Sequence, residues 1–237
     1  MSSQPQFQPG QILLIDADDT LWENNIYFER AIAAFISYVD HKEYTREQVR
    51  EKLNEVGREN VRAHGYGLVS FRRALVACFE RLSPVSVTPD KHERILSFAQ
   101  TIADQEIELL EGVAATLPIL AERHRLILVT KGDQDEQLDK LARSGLTHHF
   151  FAVEVPREKD PSAYRTVCEK YSLESGKTWM IGNSPRSDIN PALACGLNAV
   201  YIHHPNTWVL EHDSLDAAPE GQRLLEVSGF AELLRWF

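Results

Sequence analysis

Residues Ile12-Leu13-Leu14-Ile15 form an unbroken apolar run, and Asp16-Ala17-Asp18-Asp19-Thr20 follows directly. A short run of this kind suits a strand buried on both faces. Carboxylates crowded at its end repel one another and lose hydration, which opposes folding. A divalent cation would offset that cost, and the carboxyl end of a buried strand is where open α/β sheets gather ligands. The competing reading is an acidic turn capping the next helix, for which Asp18 and Thr20 are suited.

At 237 residues the chain has room for an α/β domain and a sizeable insert. The formal net charge is −10, with no basic block, which argues against nucleic acid and acidic membranes as partners. An anionic substrate is compatible with this charge if positive groups are placed locally. Cys78, Cys168 and Cys195 have no paired short spacing and read as reduced packing residues of a cytoplasmic protein. No apolar run approaches the ~20 residues of a membrane span. Met1 to Gly10 is polar, lacks the regions of a signal peptide, and reads as a frayed tail.

After Trp22 the apolar spacing becomes helical. Ile26, Phe28, Ile32, Phe35, Ile36 and Val39 line one face of a predicted helix from Asn25 to His41. Thr45, with Glu47 close behind, opens a second that ends near His64. His64-Gly65-Tyr66-Gly67 breaks the pattern. A third helix is predicted from Val69 to Leu82, stopped by Pro84, and Thr88-Pro89 opens a fourth. Residues 23–108 thus read as an inserted helical bundle.

From Gly112 helices and strands alternate. The strands are predicted at 125–129, 150–153, 178–181 and 199–202, with a final one at 223–227. The pattern implies a Rossmann-like, mainly parallel α/β core built from residues 1–22 and 109–237. Thr130, Lys159 and the pair Asn183 and Asp188 fall at or after strand ends, as Asp16 and Asp18 do. Taken singly, Thr130 and Asp188 could cap the helices that follow them, and Lys159 could be a solvated lysine.

Asp16-Ala17-Asp18-Asp19-Thr20, Val129-Thr130, Lys159 and Gly182-Asn183-Ser184-Pro185-Arg186-Ser187-Asp188 together resemble the four motifs of the haloacid dehalogenase superfamily. The helical insert lies where that superfamily places a cap. The resemblance implies a Mg²⁺-dependent phosphatase acting on a small phosphorylated metabolite, as a monomer or homodimer. It implies Asp16 as nucleophile, Asp18 as general acid and base, and Thr130, Lys131 and Lys159 as phosphoryl contacts. Mg²⁺ would use Asp16, the main-chain oxygen of Asp18, Asn183 and Asp188. Two residues depart from the pattern. Lys131 replaces a common asparagine, with a solvated side chain expected. Asn183 replaces the usual metal-binding aspartate and removes one negative charge. A phosphomutase, or a silent protein that binds a phosphorylated ligand, stands as the alternative.

The core motifs touch only the phosphoryl group, so selection of the leaving group is expected from the insert. Tyr66, between two glycines, is the expected substrate contact, with Arg62 and Arg72 nearby for a second anion. The pairs His148-His149 and His203-His204, read as strand residues, point to opposite faces and make no chelate. Trp22, Trp179, Trp208 and Trp236 are expected to pack.

Overall fold

The computed structural model describes residues 6–83 and 86–237. They form two compact units, one made of the chain up to residue 25 and from residue 107 onward, the other of residues 26–106.

The helical unit holds α1 (Asn25–Val39, begun one residue earlier), α2 (Arg46–His64), α3 (Leu68–Leu82) and α4 (Pro89–Ala103). Phe35, Leu53, Val56, Leu75, Ile95 and Phe98 share its core. Thr45 caps α2 through a reciprocal box with Gln48. Thr88 caps α4, with Pro89 at its first position. Pro84, expected to stop α3, lies outside the described residues; Ser83 closes that helix. Between α2 and α3, Gly65 (φ 82°) and Gly67 (φ 117°) take the left-handed conformations that free Tyr66 from the helical path. Arg72 donates from its guanidinium to Gln100 Oε1 at 2.6 Å inside this unit.

The other unit is built on a six-stranded parallel sheet of order β3-β2-β1-β4-β5-β6. Its strands are β1 (Ile12–Ile15), β2 (Arg125–Val129), β3 (Ala152–Glu154), β4 (Thr178–Gly182), β5 (Asn198–Ile202) and β6 (Leu224–Val227). Helices α5 (Val113–Arg123), α6 (Gln134–Ser144), α7 (Pro161–Tyr171) and α8 (Asn190–Ala194) complete it. The apolar run at the start of the chain is explained by its place in the middle. Leu14 of β1 lies beside Ile127 of β2 and Met180 of β4. Leu13 and Ile15 enter one core layer with Leu128, Trp179 and Ile181, while Leu14 enters the other with Ile127, Met180 and Tyr164. Strand order reverses at β1, so its carboxyl end opens a crevice toward β4.

The chain leaves this unit and returns side by side: Glu23 N–H donates to Glu108 O, and Leu110 N–H to Leu21 O, each at 2.9 Å. The expected frayed tail is anchored over residues 6–10. Phe7 packs on Trp179 and Phe237, with ring centres 4.7 and 5.4 Å away, and its N–H donates to Trp236 O. Gly10 N–H donates to Arg123 O at 2.9 Å, so one aromatic ring and backbone bonds together hold the segment. His148 and His149 lie on a 3₁₀ turn, Thr147–His149, rather than a strand, with ring centres 3.9 Å apart. Among the described residues no helix is long and apolar enough to cross a membrane.

His124 ends α5 and is buried, its Nδ1 accepting the Gln11 N–H at 3.2 Å. Burial, aided by Arg123, lowers its pKa from 6.5 to about 4. The folded state therefore resists a proton that the unfolded chain accepts below its ordinary pKa. Stability from this neutral histidine is present above pH 6.5 and is lost as pH falls toward 4, at about 1.4 kcal/mol per pH unit for one proton. In thermal unfolding across that window, the Tm advantage of the parent over His124→Gln is expected to shrink as pH falls. A constant gap would contradict this.

Candidate active site

Asp16 follows β1 directly, and its N–H extends the ladder to Ile181 O at 2.9 Å. The backbone then coils: Thr20 and Leu21 N–H donate to Ala17 O, and Asp19 adopts a left-handed φ of 60°. This turn sends the three aspartates to different partners. Asp19 accepts the N–H groups of Asn24 and Asn25 at 2.9 and 3.0 Å and caps α1. The cap expected of Asp18 or Thr20 is thus made by Asp19. The Thr20 hydroxyl instead reaches Asp16 at 2.9 Å and Asn183 Oδ1 at 3.2 Å.

Lys159, from the segment between β3 and α7, is buried between Asp16 and Asp188, with Asp188 at 2.7 Å. It is not the solvated lysine that a lone residue suggests. Asp188 uses its second oxygen to accept the Ser184 N–H at 2.9 Å. It does not cap a helix at Ile189: a single π-helical turn, Pro185–Ile189, precedes α8, and Ser184 caps it through the Ser187 N–H. Gly182 makes room for this carboxylate, since a Cβ there would lie 2.2 Å from an Asp188 oxygen.

Burial pushes the Asp16 carboxyl up to about 7, Asp188 adds to the rise, and Lys159 opposes it. Burial would lower the Lys159 pKa, but Asp16 and Asp188 outweigh it and hold the ammonium firmly charged. Two carboxylates against one ammonium leave an excess of negative charge. That donor set, with the Asn183 amide oxygen beside it, fits a hard divalent cation.

The Thr130 hydroxyl, at the end of β2, donates to Gln137 Oε1 at 3.2 Å. Asp133, not Thr130, caps α6, so the capping reading of Thr130 falls. Gln137 Nε2 in turn donates to Asp18 at 3.1 Å. Asp18 also accepts from the Trp22 indole N–H at 2.8 Å, and from Lys140 at 2.7 and 2.9 Å to its two oxygens. Burial favours the neutral acid, but Lys140 and the other donors hold this carboxyl below its usual range. Trp22 is packed as expected, with this added bond. Gln137 and Lys140 were missed in the sequence. They sit three residues apart on one face of α6, and a glutamine beside the buried Leu141 was the available signal.

Lys131 also departs from expectation. Its ammonium is not solvated; it donates to Ser187 at 2.7 Å and to Glu211 at 2.6 Å. Burial would raise the Glu211 carboxyl, but Lys131 and the hydroxyls of Ser187 and Ser184 hold it low. Glu211 lies on a short turn, Val209–Glu211, far from every motif, and nothing in its local sequence marks it. Asn183 turns Nδ2 to the Thr207 hydroxyl at 2.9 Å. Tyr66 belongs to the helical unit.

Among the described residues, Asp19, Glu23 and His204 form one further group that could hold a metal, with ligand atoms within 4.8 Å of one another. His204 lies beyond the end of β5, off the strand on which it was expected. Its Nδ1 accepts the Asn206 N–H at 3.3 Å, which leaves the ring proton on Nε2, facing a buried Glu23 oxygen at 3.6 Å. That tautomer presents an N–H where a metal needs a lone pair.

The sequence model of haloacid dehalogenase-like hydrolases matches residues 11–196. Among solved structures, a haloacid dehalogenase-like family hydrolase from Xanthomonas campestris is 28% identical, with TM-score 0.79 over 96% of this chain and 94% of that one. L-2-haloacid dehalogenase from Xanthobacter autotrophicus shares the fold at 17% identity, with TM-score 0.64 over 95% and 97% of the two chains. Phosphoserine phosphatase from Thermus thermophilus is 33% identical over 35% of this chain and 37% of its own length. Human N-acylneuraminate-9-phosphatase is 32% identical over 40% of each. The matched stretch thus spans about two fifths of these curated relatives.

The space at Gly182 is testable without any assay of turnover. Gly182→Ala would drive Asp188 off Lys159 and is expected to lower stability by about 1–3 kcal/mol, the usual cost of overpacking. Denaturant unfolding measures it, and a change under 0.5 kcal/mol would mean that Asp188 moves freely.

Proposed function

Because this chain belongs to the haloacid dehalogenase-like hydrolase family, we propose that it is a phosphatase that cleaves a small phosphorylated metabolite. The carrying observation is the buried Asp16 carboxylate at the mouth of β1, held by Lys159 and Thr20 beside Asp188. On this reading Asp16, the Asp18 main-chain oxygen, Asn183 and Asp188 would hold Mg²⁺, whose positive charge would let a phosphate dianion approach these carboxylates.

Asp16 attacks phosphorus and forms an aspartyl-phosphate as the bond to the leaving oxygen breaks. Asp18 gives that oxygen a proton. Its carboxylate then takes a proton from water, which attacks the same phosphorus and frees Asp16 and inorganic phosphate. The Thr130 hydroxyl and the Lys131 main-chain N–H orient the phosphoryl oxygens, and Lys159 balances their charge. The Lys131 ammonium is committed to Glu211 and Ser187, so it braces the loop before α8 rather than the substrate. Two phosphatases among the relatives support this class of reaction over dehalogenation, and so does Asp18, the acid a leaving alkoxide requires.

The decisive assay is phosphate release from an aryl phosphate with Mg²⁺, which EDTA should abolish. Asp16→Asn is expected to abolish turnover with the fold intact, and Asp18→Asn to cost ~10²-fold or more. More than a few per cent of activity in Asp16→Asn would rule out the covalent route.

Selection of the leaving group is assigned to the helical unit as a cap, with Tyr66 as its substrate contact. Tyr66→Ala should lower kcat/KM ~10-fold or more for the preferred metabolite, about 1.4 kcal/mol of lost contact, and change little for a small aryl phosphate. Equal losses on both, with a lower Tm, would make Tyr66 a packing residue.

A further inference from the structure

The Asp18 carboxylate is fully occupied. One oxygen accepts from Trp22 and Lys140, the other from Gln137 and Lys140. A carboxylate has about four in-plane acceptor sites, and these contacts fill them. A proton added to either oxygen would face an N–H donor. Held this way, Asp18 can neither carry a proton to a leaving oxygen nor take one from water. It must leave this position to act as acid or base.

The four contacts are unequal. Lys140 alone carries charge, touches both oxygens, and is fixed further by Asn24 Oδ1 at 2.8 Å. Gln137 has a different part. Its amide oxygen accepts the Thr130 hydroxyl while its amide nitrogen donates to Asp18. A phosphoryl oxygen arriving at Thr130 competes for that hydroxyl proton. Gln137 then loses the bond that orients it, and its hold on Asp18 weakens.

We propose that Lys140 is a positioning residue that parks Asp18 in an idle orientation, and that Gln137 links its release to phosphate arriving at Thr130. This rests on the phosphatase reading for its role in turnover, though the parked position is a matter of geometry. The step it controls is a proton transfer: the carboxylic acid of Asp18 gives its proton to the leaving oxygen, which keeps the electron pair of the broken P–O bond.

The test uses the full-length protein with Lys140→Met, Lys140→Arg and, if the first fails to fold, Lys140→Gln. Values of kcat/KM, which report events through P–O cleavage, are compared for 4-nitrophenyl phosphate and an alkyl phosphate. The aryl ester has a good leaving group and gains little from an acid; the alkyl ester depends on one. Losing the restraint should raise the alkyl-to-aryl ratio about 3-fold or more, while Lys140→Arg, which keeps the charge, stays near the parent. A ratio that is unchanged or lower would overturn the proposal, a fall meaning that Lys140 holds Asp18 ready to react. The Trp22 indole N–H provides a second readout, its ¹H–¹⁵N signal assigned with Trp22→Phe. It should shift in Lys140→Met, and in the parent on adding Mg²⁺ with inorganic phosphate, as Asp18 departs. A stationary signal in both would also overturn the proposal. If the parent cleaves neither ester, the phosphatase reading fails, and the Trp22 signal alone then decides whether Asp18 is parked.

Discussion

The ammonium of Lys159 lies between the carboxylates of Asp16 and Asp188, and most of the site is arranged around that contact. A buried ammonium is tolerable only if its charge is matched, and two buried carboxylates are tolerable only with a cation between them. Removing Lys159 would leave both carboxylates uncompensated, a loss that typically costs about 3–5 kcal/mol. Gly182 exists at its position so that Asp188 can reach inward. Ser184 donates its N–H to the same carboxylate, and Thr20 spans Asp16 and Asn183. The arrangement still carries more negative than positive charge, and that imbalance, not the fold alone, argues for a divalent cation there.

The chemistry is gathered by the sheet. Asp16, Thr130 and Asn183 each lie just past the carboxyl end of a strand, on β1, β2 and β4, which are neighbours. Strand pairing therefore sets their spacing, and rigid elements position side chains more accurately than loops do. Three lesser polar clusters surround them. Asp18 is bound by α6 and Trp22, Lys131 by Glu211 and Ser187, and Asn183 by Thr207. Each ties a loop to its neighbour through polar contacts that are at least partly buried.

Much of this was legible in the sequence, for reasons that can be named. β1 was visible because a strand buried on both faces must be apolar throughout, and the alternation after Gly112 has few other solutions. Asp16, Lys159 and Asp188 were legible as strand-end residues, though not their mutual contact, which joins residues 143 and 29 positions apart. Partners of that kind have no local signature. Glu211 and Lys140 look like ordinary surface charges until the fold buries or pairs them. Phe7 went unread for the opposite reason: a polar tail hid one ring that a distant aromatic cluster was able to hold. The capping errors share a cause too. Asp18, Asp19 and Thr20 are all good caps, and only the left-handed turn at Asp19 decides which one meets α1.

The strand order also sets a timetable. β1 precedes both of its partners in the chain: β2 begins more than a hundred residues later, and β4 later still. As the chain emerges from the ribosome, an apolar strand with both edges unpaired must wait while the helical unit is made and can close its own core. Its pairing is non-local on both sides, so loop-closure entropy delays it further. The dense acids of Asp16, Asp18 and Asp19 directly follow that strand throughout the wait. Like charges beside an unpaired strand discourage its association with another nascent chain. The acids of the candidate site thus also place repelling charge beside a strand that has no partner until β2 is made.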